Sequence, residues 1–110
     1  MSNSRTTTSR RPIVRDPRRA GPAIHPGEIL LEEFLRPLGL SQSALARHLA
    51  ISLVRVNELI KGKRGVTAET AWLLGEALGT SPQFWINLQS NYDLATFRPA
   101  RHVAKIRRTG

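Results

Sequence analysis

Residues 42–61 read QSALARHLAISLVRVNELIK. Leu45 and Leu49 stand four apart, Ala46 beside them is small, and Ile51, Val56 and Leu59 resume the apolar set after a break at Ala50–Ser52. This is the burial pattern of two short helices that cross closely at a tight turn, a helix-turn-helix. Ser41 and Ser52 stand where each helix needs an N-cap oxygen for its first unsatisfied N–H groups. Ala50 occupies the turn, a place where glycine is more usual. Such a motif lays its second helix in the major groove of DNA, so the segment predicts a DNA-binding protein.

The flanks extend the same reading. A helix begins near Pro26-Gly27-Glu28, because proline suits a first turn and a glutamate there complements the helix dipole. Ile29, Leu30 and Phe34, with Leu31 and Leu35, recur at three and four residues, and Pro37 and Gly39 are expected to stop the run. Downstream, Thr67 caps a helix over residues 68–78 that Gly79 closes. Ser81-Pro82 opens a fifth helix, whose broad apolar face carries Phe84, Trp85, Leu88 and Tyr92. With no strand candidate and no internal repeat, the reading is an all-α, five-helix domain over residues 25–97.

Composition narrows the class. The chain has 110 residues, room for one small domain. It has no cysteine, which excludes disulfides and thiolate metal sites. No apolar run approaches the roughly 20 residues of a membrane span. The N-terminal arginines are not followed by an apolar stretch, so no signal peptide is read, and a cytoplasmic, nucleoid-associated place is expected. The net charge of +9 is uneven. Residues 1–24 hold six arginines against Asp16 and three prolines, and read as a disordered basic arm. Residues 98–110 hold five bases and no acid, and read as a basic C-terminal tail. Residues 25–97 are near neutral.

On the second helix of the motif, Ser52, Leu53, Val54, Arg55, Asn57, Glu58 and Lys61 are left over by the core pattern. Arg55 has the fork to meet guanine, Asn57 the amide to meet adenine, and Leu53 and Val54 the apolar surface to meet thymine methyl groups. The alternative for Arg55 is a solvent-facing pair with Glu58 at i,i+3. Gln42 and Ser43 open the first helix, where a phosphate or base edge is within reach. Lys61, Lys63 and Arg64 follow the second helix and suit phosphates. One motif makes few contacts, so a two-fold dimer on a palindromic operator in double-stranded DNA is expected. Its interface is read at Trp85, Leu88 and Tyr92, since aromatic anchors are enriched at interface cores. The alternative is that Phe84 and Trp85 close the domain's own core. No catalytic or metal constellation is read. His25, His48 and His102 are scattered, Glu32 and Glu33 are adjacent and diverge on a helix, and GKRG at 62–65 lacks the spacing of a phosphate loop. Neither an enzyme nor a cofactor is expected.

HPGEILLEEFLRPLGLS at 25–41 and VNELIKGKRGVTAETAWLLGEALGTSPQFWINLQSNYDL at 56–94, with the motif between them, resemble the HigA family of antitoxins. That family lies within the lambda-repressor-like helix-turn-helix class. The resemblance implies an antitoxin of a type II toxin-antitoxin system. Such a protein neutralises a small HigB-type, RelE-like toxin that cleaves mRNA, and binds a palindrome in its own promoter as a dimer. Relatives often carry polar residues where Leu53 and Val54 stand, so the resemblance does not carry over an operator sequence. Toxins of this kind are usually basic, and Glu28, Glu32 and Glu33 on the first helix form the acidic patch that would steer one; the alternative for these glutamates is a solvated helix face. Two other readings accompany this one: a stand-alone repressor without a toxin, and RNA binding through the arginine-rich tails.

Overall fold

A computed structural model of the chain describes residues 23–108. The expected basic arm therefore lies, but for Ala23 and Ile24, outside the described residues. Among the described residues there are five helices and no strand. The first, α1, runs continuously through Pro26–Ile29, a π-helical stretch Leu30–Leu35, and Arg36–Leu38. It is followed by α2 (Gln42–Leu49), α3 (Leu53–Ile60), α4 (Ala68–Leu78) and α5 (Pro82–Thr96).

The caps follow the residue chemistry. The hydroxyls of Ser41, Ser52, Thr67 and Ser81 accept from the N–H groups of Ala44, Arg55, Thr70 and Phe84. Gly39 and Gly79 end α1 and α4 in the left-handed conformation, with φ of 63° and 76°. Pro37 does not stop α1, which continues through it to Leu38. A proline ring collides with the carbonyl four residues back in a regular α-helix. The preceding turns are wound wider: the Arg36 N–H donates to the Leu31 carbonyl, five residues back. That register relieves the collision. It also brings Leu30 and Leu35, five apart, both fully into the core, a spacing that α-helical periodicity does not produce.

The turn between α2 and α3 holds the one non-glycine residue with positive φ among the described residues, Ala50 at 58°. The Ile51 N–H returns to the Ala46 carbonyl at 3.0 Å and locks it. A left-handed alanine costs about 1–2 kcal/mol. Replacing it with glycine also loosens the unfolded chain, which costs about 0.4–1 kcal/mol in the other direction. Ala50→Gly is therefore expected to stabilise the domain by about 0.5–1 kcal/mol, read as a rise of a few degrees in thermal midpoint.

Core leucines from α1, α2 and α4 meet Val56, Leu59 and Trp85 in one buried cluster. Trp85, expected at a dimer surface, is instead 0% exposed. Its indole N–H donates to the Thr80 hydroxyl at 2.7 Å. Phe84 meets its ring edge-on at 5.0 Å, and Phe34 of α1 lies tilted at 5.3 Å. The alternative weighed from the sequence, closure of the domain's own core, is the arrangement found. Leu88 and Tyr92 follow Trp85 by three and seven residues, share its face of α5, and are half-buried there. The reason is helical phase: the face that carries the aromatics is the face that α1 and α4 cover.

Candidate nucleic-acid interface

At about 100° per residue, Val56 and Leu59 of α3 point one way and Val54 and Lys61 the opposite way, with Asn57 and Glu58 beside them. Burial follows this projection. Val56 and Leu59 are sealed in the core, while Val54 is 61% and Leu53 42% exposed. Asn57 and Glu58 are half-buried and Lys61 is exposed. The outward stripe of α3 is thus apolar in its first turn and polar, then basic, toward its end. Ser52 caps the helix at the same end as Val54. Ser43 of α2 is exposed and Gln42 half-buried.

Arg55 lies on the flank of this stripe, turned toward α4. Its guanidinium donates to the Glu69 carboxylate at 3.1 Å and to the Thr70 hydroxyl at 3.2 Å. The expected alternative pairing with Glu58 is absent, because Glu58 is taken by Arg64, whose Nε and Nη2 donate to it at 3.1 and 2.8 Å. Both pairs are partly exposed and each is worth about 0–1 kcal/mol. Their effect is positional: one ties α3 to the first turn of α4, the other folds the basic loop back onto α3. Arg64 therefore brings little net charge to a phosphate. No carboxylate among the described residues lies within ion-pair distance of Lys61 or Lys63.

Two positioning residues escaped the sequence reading. Gln89 of α5 accepts the Val66 N–H at 2.7 Å and donates to Asp93 at 2.9 Å, and so anchors the end of the basic loop. A side chain bonding to backbone 23 residues away leaves no periodic signal. Gly27 is the other. It is buried, and a Cβ built there would stand 1.9 Å from the Leu59 carbonyl oxygen. The start of α1 is pressed against the last turn of α3.

His25 caps α1, as its position suggested, but through a specific bond: its Nδ1 accepts the Gly27 N–H at 2.9 Å. Its ring meets Tyr92 of α5 edge-on at 4.8 Å and lies beside Gly62. Burial holds the imidazole below the ordinary histidine range, and the Asp93 carboxylate partly offsets this. An accepting Nδ1 must be unprotonated. The folded state thus binds fewer protons than the unfolded chain between the lowered folded pKa and the ordinary histidine value of 6.5. Stability from this site is complete above that value and is lost as pH falls through the folded pKa. Thermal midpoints measured from pH 7.5 down to 5 should fall more steeply for the wild type than for His25→Asn, which retains a cap without titrating. Parallel slopes would contradict this.

Of the acidic patch, Glu28 and Glu33 are exposed, and Glu32 is paired with Arg36 of the same helix at 3.0 Å. Beyond α5, Phe97 is extended and the chain to residue 108 is non-helical and exposed throughout. Trp72 of α4, which no periodic pattern singled out, is 58% exposed. No group of three or more potential metal ligands occurs among the described residues.

Comparison with known proteins agrees with this geometry. The helix-turn-helix family model matches residues 31–85. Virulence-associated protein I of Dichelobacter nodosus is 53% identical over 73 residues, which cover 66% of this chain and 68% of that protein. Antitoxin HigA-1 of Vibrio cholerae is 45% identical over 69 residues, covering 62% of this chain and 64% of its own length. The Pseudomonas aeruginosa antitoxin HigA, solved with the higBA promoter, superposes with a TM-score of 0.66 at 51% identity, over 67% of this chain and 80% of that one. A helix-turn-helix model that matches half of the chain, together with half-identity to a solved HigA antitoxin over four-fifths of that protein, places the chain in the HigA family of helix-turn-helix proteins.

Proposed function

We propose that this protein is an antitoxin that represses its own operon by binding a palindromic operator as a homodimer, and that it neutralises a HigB-type, RelE-like mRNA-cleaving toxin. The observation that carries the DNA half is the outward stripe of α3. Its exposed first turn at Ser52, Leu53 and Val54 is followed by Asn57 and Lys61, and Lys63 stands in the loop beyond. The solved HigA relative was captured with promoter DNA, which supports the DNA-binding reading. Gln42 and Ser43 flank it from α2 and suit backbone contacts that set register. Arg55 acts from the side, bracing α3 against α4, and base readout falls to its neighbours. A dimer supplies the second half-site that one motif needs. Leu88 and Tyr92 are the residues of the expected dimer surface that still offer area, and Trp85 is withdrawn from it.

The toxin half rests on kinship with proteins named antitoxins. Glu28 and Glu33 are the open carboxylates that suit a basic partner. The test is a pull-down of the tagged full chain from its native cells and co-expression with any small basic protein that co-purifies, scored by growth, together with fluorescence anisotropy on the chain's own promoter. Rescue of growth arrest, a stoichiometric complex and nanomolar promoter binding are the expected results. Promoter binding without a toxic partner would leave a stand-alone repressor.

A further inference from the structure

We infer that the operator is read chiefly through the C5-methyl groups of thymine, with Val54 as the central reader and Leu53 beside it. This inference rests on the DNA-binding reading given above. Three observations carry it. Val54 stands at the centre of the outward face of α3, and both it and Leu53 lie in the first turn, the part of a recognition helix that reaches base edges. Both are exposed, at 61% and 42%, although nothing in the domain's own packing needs them there. Finally, the side chain best suited to a polar reading of guanine, Arg55, is turned to Glu69 and Thr70 on the flank. The surface offered to the middle of the groove by the first turn of α3 is therefore the branched hydrocarbon of Val54, with Leu53 flanking it on the side opposite Arg55. In the major groove the thymine methyl is the one apolar group by which a base pair differs from the others.

The orientation is also fixed. Ser52 closes the N-terminus of α3 through the Arg55 N–H at 3.1 Å, and the Arg55 side chain ties the same turn to α4. Val54 is branched at Cβ and has little rotamer freedom on a helix, so its methyls are presented without much ordering on contact. A rigid apolar knob meeting a methyl excludes water from both, a gain of about fourfold in affinity per methyl group buried. Asn57, one turn further along, adds a polar contact to a neighbouring base.

The experiment uses the full chain and a duplex selected by the protein from a random pool. Each thymine is replaced in turn by deoxyuridine, which removes only the methyl, and binding is followed by fluorescence anisotropy. One or two positions in each half-site should lose about fourfold, and about sixteenfold when the symmetric pair is replaced together. In Val54→Ala, which is exposed and should fold normally, at least one of those losses should disappear while the others persist. An operator bound tightly with no thymine sensitive to methyl removal would overturn the inference and leave DNA binding intact. So would sensitivity unchanged in both Val54→Ala and Leu53→Ala. Failure to select any duplex would overturn the DNA-binding reading itself, and this inference with it.

Discussion

Truncation of Trp85 to alanine is expected to remove a large share of the domain's folding stability. The indole is wholly buried between α1, α4 and α5, in contact with Phe34 and Phe84, and its N–H is satisfied by Thr80. Truncating a core aromatic costs about 3–5 kcal/mol through lost transfer energy and the cavity left behind. A small domain holds only about 5–15 kcal/mol in total. The Thr80 hydroxyl would also lose its donor. Urea denaturation followed by circular dichroism is the measurement. Trp85→Phe should lie between, keeping most of the ring volume and losing the bond to Thr80. If Trp85→Ala were as stable as the wild type but monomeric, the residue would belong to an interface, and its placement in the core would be wrong.

Gly27→Ala is expected to damage stability and operator binding together. Its added Cβ meets the Leu59 carbonyl oxygen at 1.9 Å, the Leu59 carbonyl carbon at 2.7 Å and the Ile60 Cα at 2.9 Å, all of them backbone. No rotamer change can relieve such a contact, so α1 and α3 must separate. Overpacking typically costs about 1–3 kcal/mol, and a collision with backbone belongs at the top of that range. For a domain of this size that is a fall of roughly 12–24 °C in thermal midpoint. The displaced segment is the last turn of the recognition helix, directly before Lys61. Operator affinity measured well below the melting temperature should therefore fall as well, which a purely global loss of stability would not produce. Gly75 offers a contrast on α4: a Cβ there would meet the Thr80 carbonyl oxygen at 2.9 Å. That contact can be eased by a smaller movement of the loop before α5, so Gly75→Ala should cost less and leave operator affinity below the melting temperature near that of the wild type.

These two sites differ in how far their roles can be read without coordinates. The glycine at position 27 reads as a helix-start residue in a Pro-Gly-Glu sequence. That it is also the contact point with the end of α3, 32 residues on, is a property of how two helices cross. Trp85 reads equally well as core or interface, because both environments favour a large aromatic. Only the phase of α5 against its neighbours separates them.

Local chemistry along the chain determined a good deal by itself. The capping hydroxyls at 41, 52, 67 and 81 and the closing glycines at 39 and 79 place helix ends through bonds within a few residues. The apolar spacing of 45, 46, 49, 56 and 59 determines the helix-turn-helix and, by subtraction, the stripe of α3 that faces outward. Tertiary structure alone decided whatever depends on distant partners or on a change of period. The π-helical turns of α1 bury Leu30 and Leu35 five apart, against the expected spacing of three and four. Arg55 finds Glu69 and Thr70 across 14 and 15 residues rather than Glu58 on its own helix. Gln89 finds the Val66 backbone across 23 residues. The physical reason is common to the two polar pairings. Caps and apolar stripes are written in residues that are neighbours in the chain, whereas a flexible polar side chain chooses among partners that only the packed helices bring within reach.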